Sequence, residues 1–303
     1  MGNEKAGDSR VAGDSRVAGS PLASVALFDE ILMGALREDI GAGDITTLSC
    51  VPAHRQARGH FLAREGGVLC GLDVARRVFA LLDAAVGIES DFHDGDRFAP
   101  GDVLGVIDGP ARAILTGERT ALNLMQRLSG IAAATSEAVR AEQGTWAQIT
   151  ATRKTTPGLR ALERYAVRVG GARNHRFNLA DGALIKDNHI AAAGNITDAV
   201  AAVRRLAPHT MKIEVEAGAL AQVREAIDAG ADIIMLDNMD DDAMREAVGI
   251  VAGRALIEAS GNMGSKRDLA RVAATGVDYI SIGALTHSAR ALDISLKFLP
   301  MRA

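Results

Sequence analysis

Cysteine is scarce: Cys50 and Cys70 are the two in 303 residues. Their separation excludes a CxxC redox pair and a zinc knuckle, leaving two reduced thiols of no special chemistry. Aromatic residues are scarce too, at 3%, and the formal net charge is -4. Nucleic-acid partners call for a basic surface and often for stacking rings, so that class is set aside. No apolar run approaches the roughly 18 residues that cross a bilayer, which sets aside a membrane role. The seven histidines show no HExxH or other close metal-ligand spacing. Met1 to Ser20 is polar and Gly-rich, unlike a secretory signal, and Ala6 stands where a myristoylation motif requires Ser or Thr. These absences point to a cytoplasmic protein. With 48% hydrophobic residues, the chain can build one large or two modest cores.

Residues 6–11 and 12–17 repeat the same six letters. Without apolar periodicity, the repeat reads as part of a disordered tail over residues 1–24. Helical spacing of Leu27, Ile31, Leu32 and Leu36 predicts a first helix over 25–37. Short strand-like runs follow at 60–64, 68–69 and 103–107, and then a helical run from about 117 to 142. The rhythm changes after that. Strand-like runs at 149–152, 183–185, 212–215, 232–236, 255–259 and 279–282 alternate with helix-length segments at 160–170, 196–206, 219–229, 241–251 and 266–275. Six such units without a GxGxxG opening predict a parallel α/β barrel rather than a dinucleotide-binding sheet. The fold class is therefore α/β, with domains expected over 25–129 and 130–283 and a C-terminal segment, 284–303, packing back on the first domain.

Every predicted barrel strand ends in polar or glycine residues: Arg153-Lys154, Lys186, Glu216, Asp237, Ser260-Gly261-Asn262 and Gly283. Strand ends of a parallel barrel converge on one face, where barrel enzymes carry their sites. Period-two geometry puts Lys212, Glu214 and Glu216 on one side of their strand. An ion pair between Lys212 and Glu214 would fill the core, leaving Glu216 at the mouth. Arg153, Lys154, Arg173, His175, Arg176 and Lys186 crowd a short stretch of a net-acidic chain. Such a cluster recognises a ligand with several anionic groups. Carboxylates Glu216 and Asp237 beside it suit Mg²⁺ or a developing positive charge. Cations for anions with acids for a metal suggest phosphosugar chemistry.

At these residues a family resemblance emerges. Thr152-Arg153-Lys154-Thr155-Thr156-Pro157-Gly158, Asn174-His175-Arg176 and Leu184-Ile185-Lys186-Asp187-Asn188-His189 resemble three segments of the quinolinate phosphoribosyltransferases. Glu118 to Asn123, Leu236-Asp237-Asn238 and Ser281 to His287 are similar to three more, in order, from about residue 25 to 300. The resemblance implies an N-terminal α+β sandwich domain and a C-terminal α/β barrel, paired as a homodimer or a higher oligomer. It implies decarboxylating phosphoribosyl transfer from phosphoribosyl pyrophosphate to quinolinate, giving nicotinate mononucleotide, pyrophosphate and CO₂, a step of NAD biosynthesis. By position, Arg119 from the neighbouring subunit would join Thr152, Arg153, His175, Arg176 and Lys186 around quinolinate. Lys154, Glu216 and Asp237, as the catalytic group, would serve the pyrophosphate donor and its Mg²⁺. Ser260, Gly261, Asn262, Ser281, Ile282 and Gly283 would hold the 5′-phosphate through backbone N–H groups. His189 and His287 are expected to orient loops.

Three rival readings stand beside this one. A paralogue of the same family, associated with molybdate transport genes, takes a different acceptor. A Schiff-base lyase would use Lys186 or Lys154 as its nucleophile, which calls for one desolvated lysine rather than many cations. A non-catalytic anion-binding protein gives no reason for Glu216 and Asp237 among the cations.

Overall fold

The structure, a computed structural model, describes residues 25–263 and 267–299. The expected tail, 1–24, lies outside these residues, as do Lys266 at the start of an expected helix and the last four positions. The chain opens with helices α1 (Val25–Ile40) and α2 (Ile45–Cys50). It continues through β1 (Gln56–Ala63), β2 (Gly67–Val68), α3 (Leu72–Leu82), β3 (Gly87–Glu89), β4 (Arg97–Phe98) and β5 (Val103–Pro110). The long helix α4 (Ala111–Ala141) follows. The boundary expected between 129 and 130 thus falls inside one continuous helix.

The second part runs β6 (Gln148–Thr150), α5 (Arg160–Val169), β7 (Ala183–Ile185), α6 (Asp187–Ala193), α7 (Ile196–Leu206) and β8 (Ile213–Ala217). It goes on through α8 (Leu220–Asp228), β9 (Ile233–Asp237), α9 (Asp241–Val251), β10 (Leu256–Ser260), α10 (Leu269–Ala273), β11 (Tyr279–Ser281) and α11 (Ala284–His287). The last strand, β12 (Ile294–Phe298), returns to the first part of the chain and pairs antiparallel with β1.

In the first part, the antiparallel order is β12-β1-β5-β3, with β2 and β4 forming a small pair of their own. Alternate residues of β1 are buried, Phe61 completely. That face packs into a core shared with Phe28, Leu32 and Leu36 of α1, Val78 and Phe79 of α3, and Met125 and Leu128 of α4. Gly130 is what lets the returning segment approach α4: a Cβ there would lie 1.9 Å from the Arg290 carbonyl oxygen.

In the second part, the parallel order is β6-β11-β10-β9-β8-β7. The last strand of the set pairs with the first, as a barrel requires and an open sheet does not. On its other side, Thr150 of β6 forms a parallel bridge with Arg173. The seam between Arg173 and β7 is spanned by Arg176, whose Nη1 donates to the Gly182 carbonyl at 2.7 Å. Ile149, Ile213, Val215, Ile234, Leu236, Ile257 and Ile280 are buried in the wall, the apolar side of strands with helices over their outer face.

One buried carboxylate ties the two parts together. Asp94, in the turn before β4, accepts from the N–H groups of Gly71 and Leu72 at 2.7 and 3.0 Å, capping the start of α3. Tyr165 of α5 donates its hydroxyl to the same carboxylate at 2.6 Å. Burial pushes the Asp94 carboxyl up, while Tyr165 and the two amides offset part of that rise. Tyr165→Phe leaves a buried acceptor short of one donor and should cost ~1–2 kcal/mol. Asp94→Ala, which also removes the cap, should cost ~2–4 kcal/mol. Denaturant midpoints read both; equal stability of the two variants would show that the cap contributes nothing.

Candidate active site

The C-terminal ends of the parallel strands surround a cavity of ≈ 390 Å³. Thr152, Arg153 and Lys154 enter it from the loop after β6, and His175 and Arg176 from the segment before β7. Lys186 follows β7, while Glu216 and Asp237 stand at the ends of β8 and β9. Ser260, Gly261 and Asn262 follow β10, and Ser281 ends β11. Three expected residues lie elsewhere. Ile282 is buried in the wall. Gly283 backs the Lys154 stem, where a Cβ would come within 2.8 Å of Lys154 Cδ. Arg119 is exposed on α4 and does not line this cavity in its own chain.

Backbone geometry sets the rim. Asn238 and Asn262 adopt the left-handed region, at φ 54° and 53°, a conformation asparagine tolerates better than most residues. Asn262 Nδ2 donates to Asn238 Oδ1 at 3.1 Å, and Asn238 Nδ2 donates to Asp237 at 2.8 Å. Gly261 sits between them at φ +92°, where a Cβ would meet Asn238 Oδ1 at 2.3 Å. The Ser-Gly-Asn turn therefore has to carry glycine at its centre.

Charge divides the cavity. Among the described residues, Arg153 Nε and Arg176 Nε are buried without a hydrogen-bond partner. Burial, and then the charge of Arg153, lowers the Arg176 pKa, with Glu214 opposing. On the other wall Glu216 is pushed up, by burial first and by Asp237 second, with Lys186 opposing. One wall holds crowded cations facing the cavity; the other holds two acids that repel each other. The backbone N–H of Lys186 donates to His189 Nδ1 at 2.9 Å, and His287 Nδ1 lies 2.7 Å from the Ser288 hydroxyl. His189 is engaged in the first turn of α6 and His287 at the end of α11.

The cavity floor holds a third group. His175 Nε2 lies 3.0 Å from Glu214 Oε2 and 3.7 Å from Glu258 Oε2. Glu214 takes this partner rather than Lys212, which is exposed beside a second cavity of ≈ 580 Å³ at the strand starts. His175 Nδ1 accepts from the Arg176 backbone N–H at 2.8 Å, so the ring proton sits on Nε2 and is given to Glu214. The three side chains could cradle a metal by distance alone. The proton arrangement is wrong for one: a ligating Nε2 needs its lone pair free and the proton on Nδ1. The cluster is better described as proton-sharing. Burial, and then the charge of Glu214, pushes the Glu258 carboxyl up to about 7.

With this geometry in place, comparison with known proteins decides the family. Residues 44–129 match the N-terminal domain model of quinolinate phosphoribosyl transferase, and residues 131–297 match its C-terminal domain model. The chain belongs to the quinolinate phosphoribosyltransferase family. A probable nicotinate-nucleotide pyrophosphorylase [carboxylating] of Bacillus subtilis is 47% identical over 261 residues, covering 86% of this chain and 89% of its own. The Mycobacterium leprae protein named nicotinate-nucleotide pyrophosphorylase [carboxylating] is 46% identical over 271 residues, covering 86% and 94%. The crystal structure of NadC from Streptococcus pyogenes superposes with a TM-score of 0.87 at 45% identity, covering 93% of this chain and all of that one.

Within this family frame, four residues of the cavity had no site role in the sequence reading: Leu184 and Asn238, quoted only as parts of motifs, and Met235 and Glu258. The signal for Glu258 was present. It lies two residues before Ser260 on its strand, as Glu214 lies two before Glu216, so the same alternation puts it inside the barrel. Because the folded state holds the Glu258 proton more tightly, stability from this group is full below the ordinary value of 4.5 and falls as pH rises to about 7. Glu258→Gln should therefore gain on the parent protein between pH 5 and pH 8, by roughly 2–3 kcal/mol. Parallel pH profiles of the two unfolding free energies would show that the carboxyl titrates normally.

Proposed function

We propose that this chain transfers a phosphoribosyl group from phosphoribosyl pyrophosphate to quinolinate and releases pyrophosphate and CO₂, giving nicotinate mononucleotide. The family membership supports the reaction class. The observation that carries it to the site is the pair of buried, unpartnered arginine Nε atoms beside a carboxylate pair. An unsatisfied buried donor costs ~1–3 kcal/mol, which an anionic ligand removes. Arg153 and Arg176, with Lys186 and His175 nearby, are suited to the two carboxylates of quinolinate. Since both His175 nitrogens are engaged with protein, we assign it to holding Arg176 and shaping the floor, with the arginines carrying the charge.

Glu216 and Asp237 fit a hard divalent cation. Both are oxygen donors at the mouth, and their mutual repulsion is what a cation would relieve. We infer Mg²⁺ held there, largely through the donor's pyrophosphate; when bound it supplies neutralisation of the leaving group. Lys154 contributes a mobile cation to the same end, and the Ser260–Asn262 turn with Ser281 receives the 5′-phosphate. The acceptor nitrogen attacks C1 of the ribose as pyrophosphate leaves. The pyridinium so formed accepts the electron pair left at C2 when the 2-carboxylate departs as CO₂, and a proton then fills that position. Positioning and electrostatics supply the catalysis, without a covalent enzyme intermediate. The names of the two relatives describe the reverse direction, a nicotinate nucleotide split by pyrophosphate with carboxylation. No described helix is long and apolar enough to cross a membrane, and a cytoplasmic location is part of the reading.

We also propose a homodimer in which Arg119 enters the neighbour's cavity. Turnover with quinolinate, phosphoribosyl pyrophosphate and Mg²⁺, following nicotinate mononucleotide and CO₂ together, tests the reaction; formation of neither would end it. Nicotinate lacks one carboxylate and leaves a buried cation unpaired, so its kcat/KM should be lower by on the order of a hundred- to several-thousand-fold. Comparable values for the two acids would refute the assignment of the arginines. Arg119→Ala and Lys154→Ala should each be nearly inactive, yet mixing equal amounts should restore about a quarter of the activity through dimers with one intact site. No recovery on mixing would place Arg119 in its own subunit's chemistry or outside the site.

A further inference from the structure

The loop that carries Arg153 and Lys154 runs from 151 to 159 without helix or strand, so something else must fix it. Arg127 of α4 does much of this. Its Nε and Nη2 donate to Glu163 Oε1 at 2.9 and 2.6 Å, and Nη2 also donates to Thr156 Oγ1 at 3.1 Å and to the Thr286 carbonyl at 2.7 Å. Glu163, fully buried on α5, accepts from the Thr156 backbone N–H at 3.0 Å through its other oxygen. Thr286, fully buried on α11, donates its hydroxyl to the Lys154 carbonyl at 2.8 Å. Two backbone groups of the loop thus end on a network that also contains one ion pair, its carboxylate fully buried and its guanidinium largely so.

We propose that Arg127, Glu163 and Thr286 are positioning residues for the phosphoribosyl transfer, fixing the backbone from which Arg153 and Lys154 reach the substrates; this rests on the function proposed above. A buried ion pair is a poor device for stability alone, since apolar packing of the same volume is usually as good. What the ion pair offers here is direction. A guanidinium fork and a two-oxygen carboxylate specify where Thr156 and Thr286 must sit, and a small displacement of a reacting group costs large factors in rate. None of the three side chains lines the cavity, so each acts through the loop.

The test compares Arg127→Lys, Glu163→Gln, Thr286→Val and Thr286→Ser with the parent protein, at a temperature where all are folded. Tyr165→Phe, on the far side of the same helix, serves as a control for loss of stability without loss of positioning. The expected result is kcat lowered roughly ten- to a hundredfold in the first three, with both KM values moving less than about threefold. Thr286→Ser, which keeps the hydroxyl, should recover most of the activity, and Tyr165→Phe should retain it. Amide hydrogen exchange over 152–158 should quicken in Glu163→Gln and stay slow in Tyr165→Phe. Parental kcat in Glu163→Gln, or a loss matched by Tyr165→Phe, would overturn the proposal. Unchanged exchange over 152–158 would overturn it as well. If the parent protein does not turn over quinolinate at all, the function reading fails, and the exchange measurement still decides whether the brace exists.

Discussion

The contact between Arg127 and Glu163 is the constraint on which the rest of the site depends. It joins α4, which belongs to the core of the first part, to α5, the first outer helix of the barrel. The same α5 braces both cation-bearing segments. Arg160 donates to Thr155 Oγ1 and to the Phe177 carbonyl, while Arg164 donates to the Arg176 carbonyl at 2.6 Å and lies over the Phe177 ring. Three residues of one helix, Arg160, Glu163 and Arg164, therefore hold the backbone on either side of the Arg153–Arg176 pair. Two guanidiniums this close repel, and burial together with the Arg153 charge lowers the affinity of Arg176 for its proton, so on free loops the pair would drift apart. Here the repulsion is opposed at the backbone, and the side chains stay available for an anion.

The barrel interior extends the same logic downward. Glu214 and Glu258 are both nearly inaccessible, and His175 stands against both, with the Arg176 charge near Glu214 and the Ser281 hydroxyl near Glu258. Two charged carboxylates there would face a desolvation cost of several kcal/mol each. Burial opposes the charged form of His175, but Glu214 and then Glu258 outweigh it and raise the His175 pKa, so with Glu258 neutral the cluster carries at most one net negative charge, set against the cations of the wall above. The floor is thereby polar but nearly neutral, which keeps the acids from cancelling the field that an anionic substrate meets. Glu216 and Asp237, higher up and partly wet, are left as the pair with charge to give to a cation.

Much of the barrel was legible because its signal is local. Each βα unit writes an apolar run and an amphipathic period into adjacent residues, so the strand at 183–185 and the helices at 196–206 and 241–251 agree with β7, α7 and α9 as observed. Twelve of the expected residues share one cavity: eight were marked by strand-end polarity for the same reason, His175 and Arg176 by the density of cations, and Thr152 and Ser281 by the family resemblance. The first part was harder to read. Its sheet pairs β1 with β12 across most of the chain, its smaller strands have two residues each, and α3 begins at a left-handed Gly71 with no capping side chain of its own. Its cap comes from Asp94, far along the sequence. The ion pair expected between Lys212 and Glu214 failed on geometry: residues two apart on a strand share a face but stand nearly 7 Å apart, and His175 arrives from another segment to take the carboxylate. Arg127 gave no signal at all. One arginine beside Leu128 on an amphipathic helix looks like the edge of its polar face until the barrel is docked against it.

The long helix explains why a site made at strand ends needs a second domain. α4 packs on α3 and the antiparallel sheet through one end and on α5 through the other. Arg119 and Arg127 lie eight residues apart on it, ~12 Å along the axis, and they face different ways. Arg119 is exposed and away from its own cavity, whereas Arg127 is turned inward on Glu163. Under the dimeric reading, one rigid helix would then set the loop of its own site and the arm offered to its neighbour's. A shift of α4 could not move one without the other. Continuity of the helix across the domain boundary, and the close packing that Gly130 permits against the returning chain, serve to suppress such a shift.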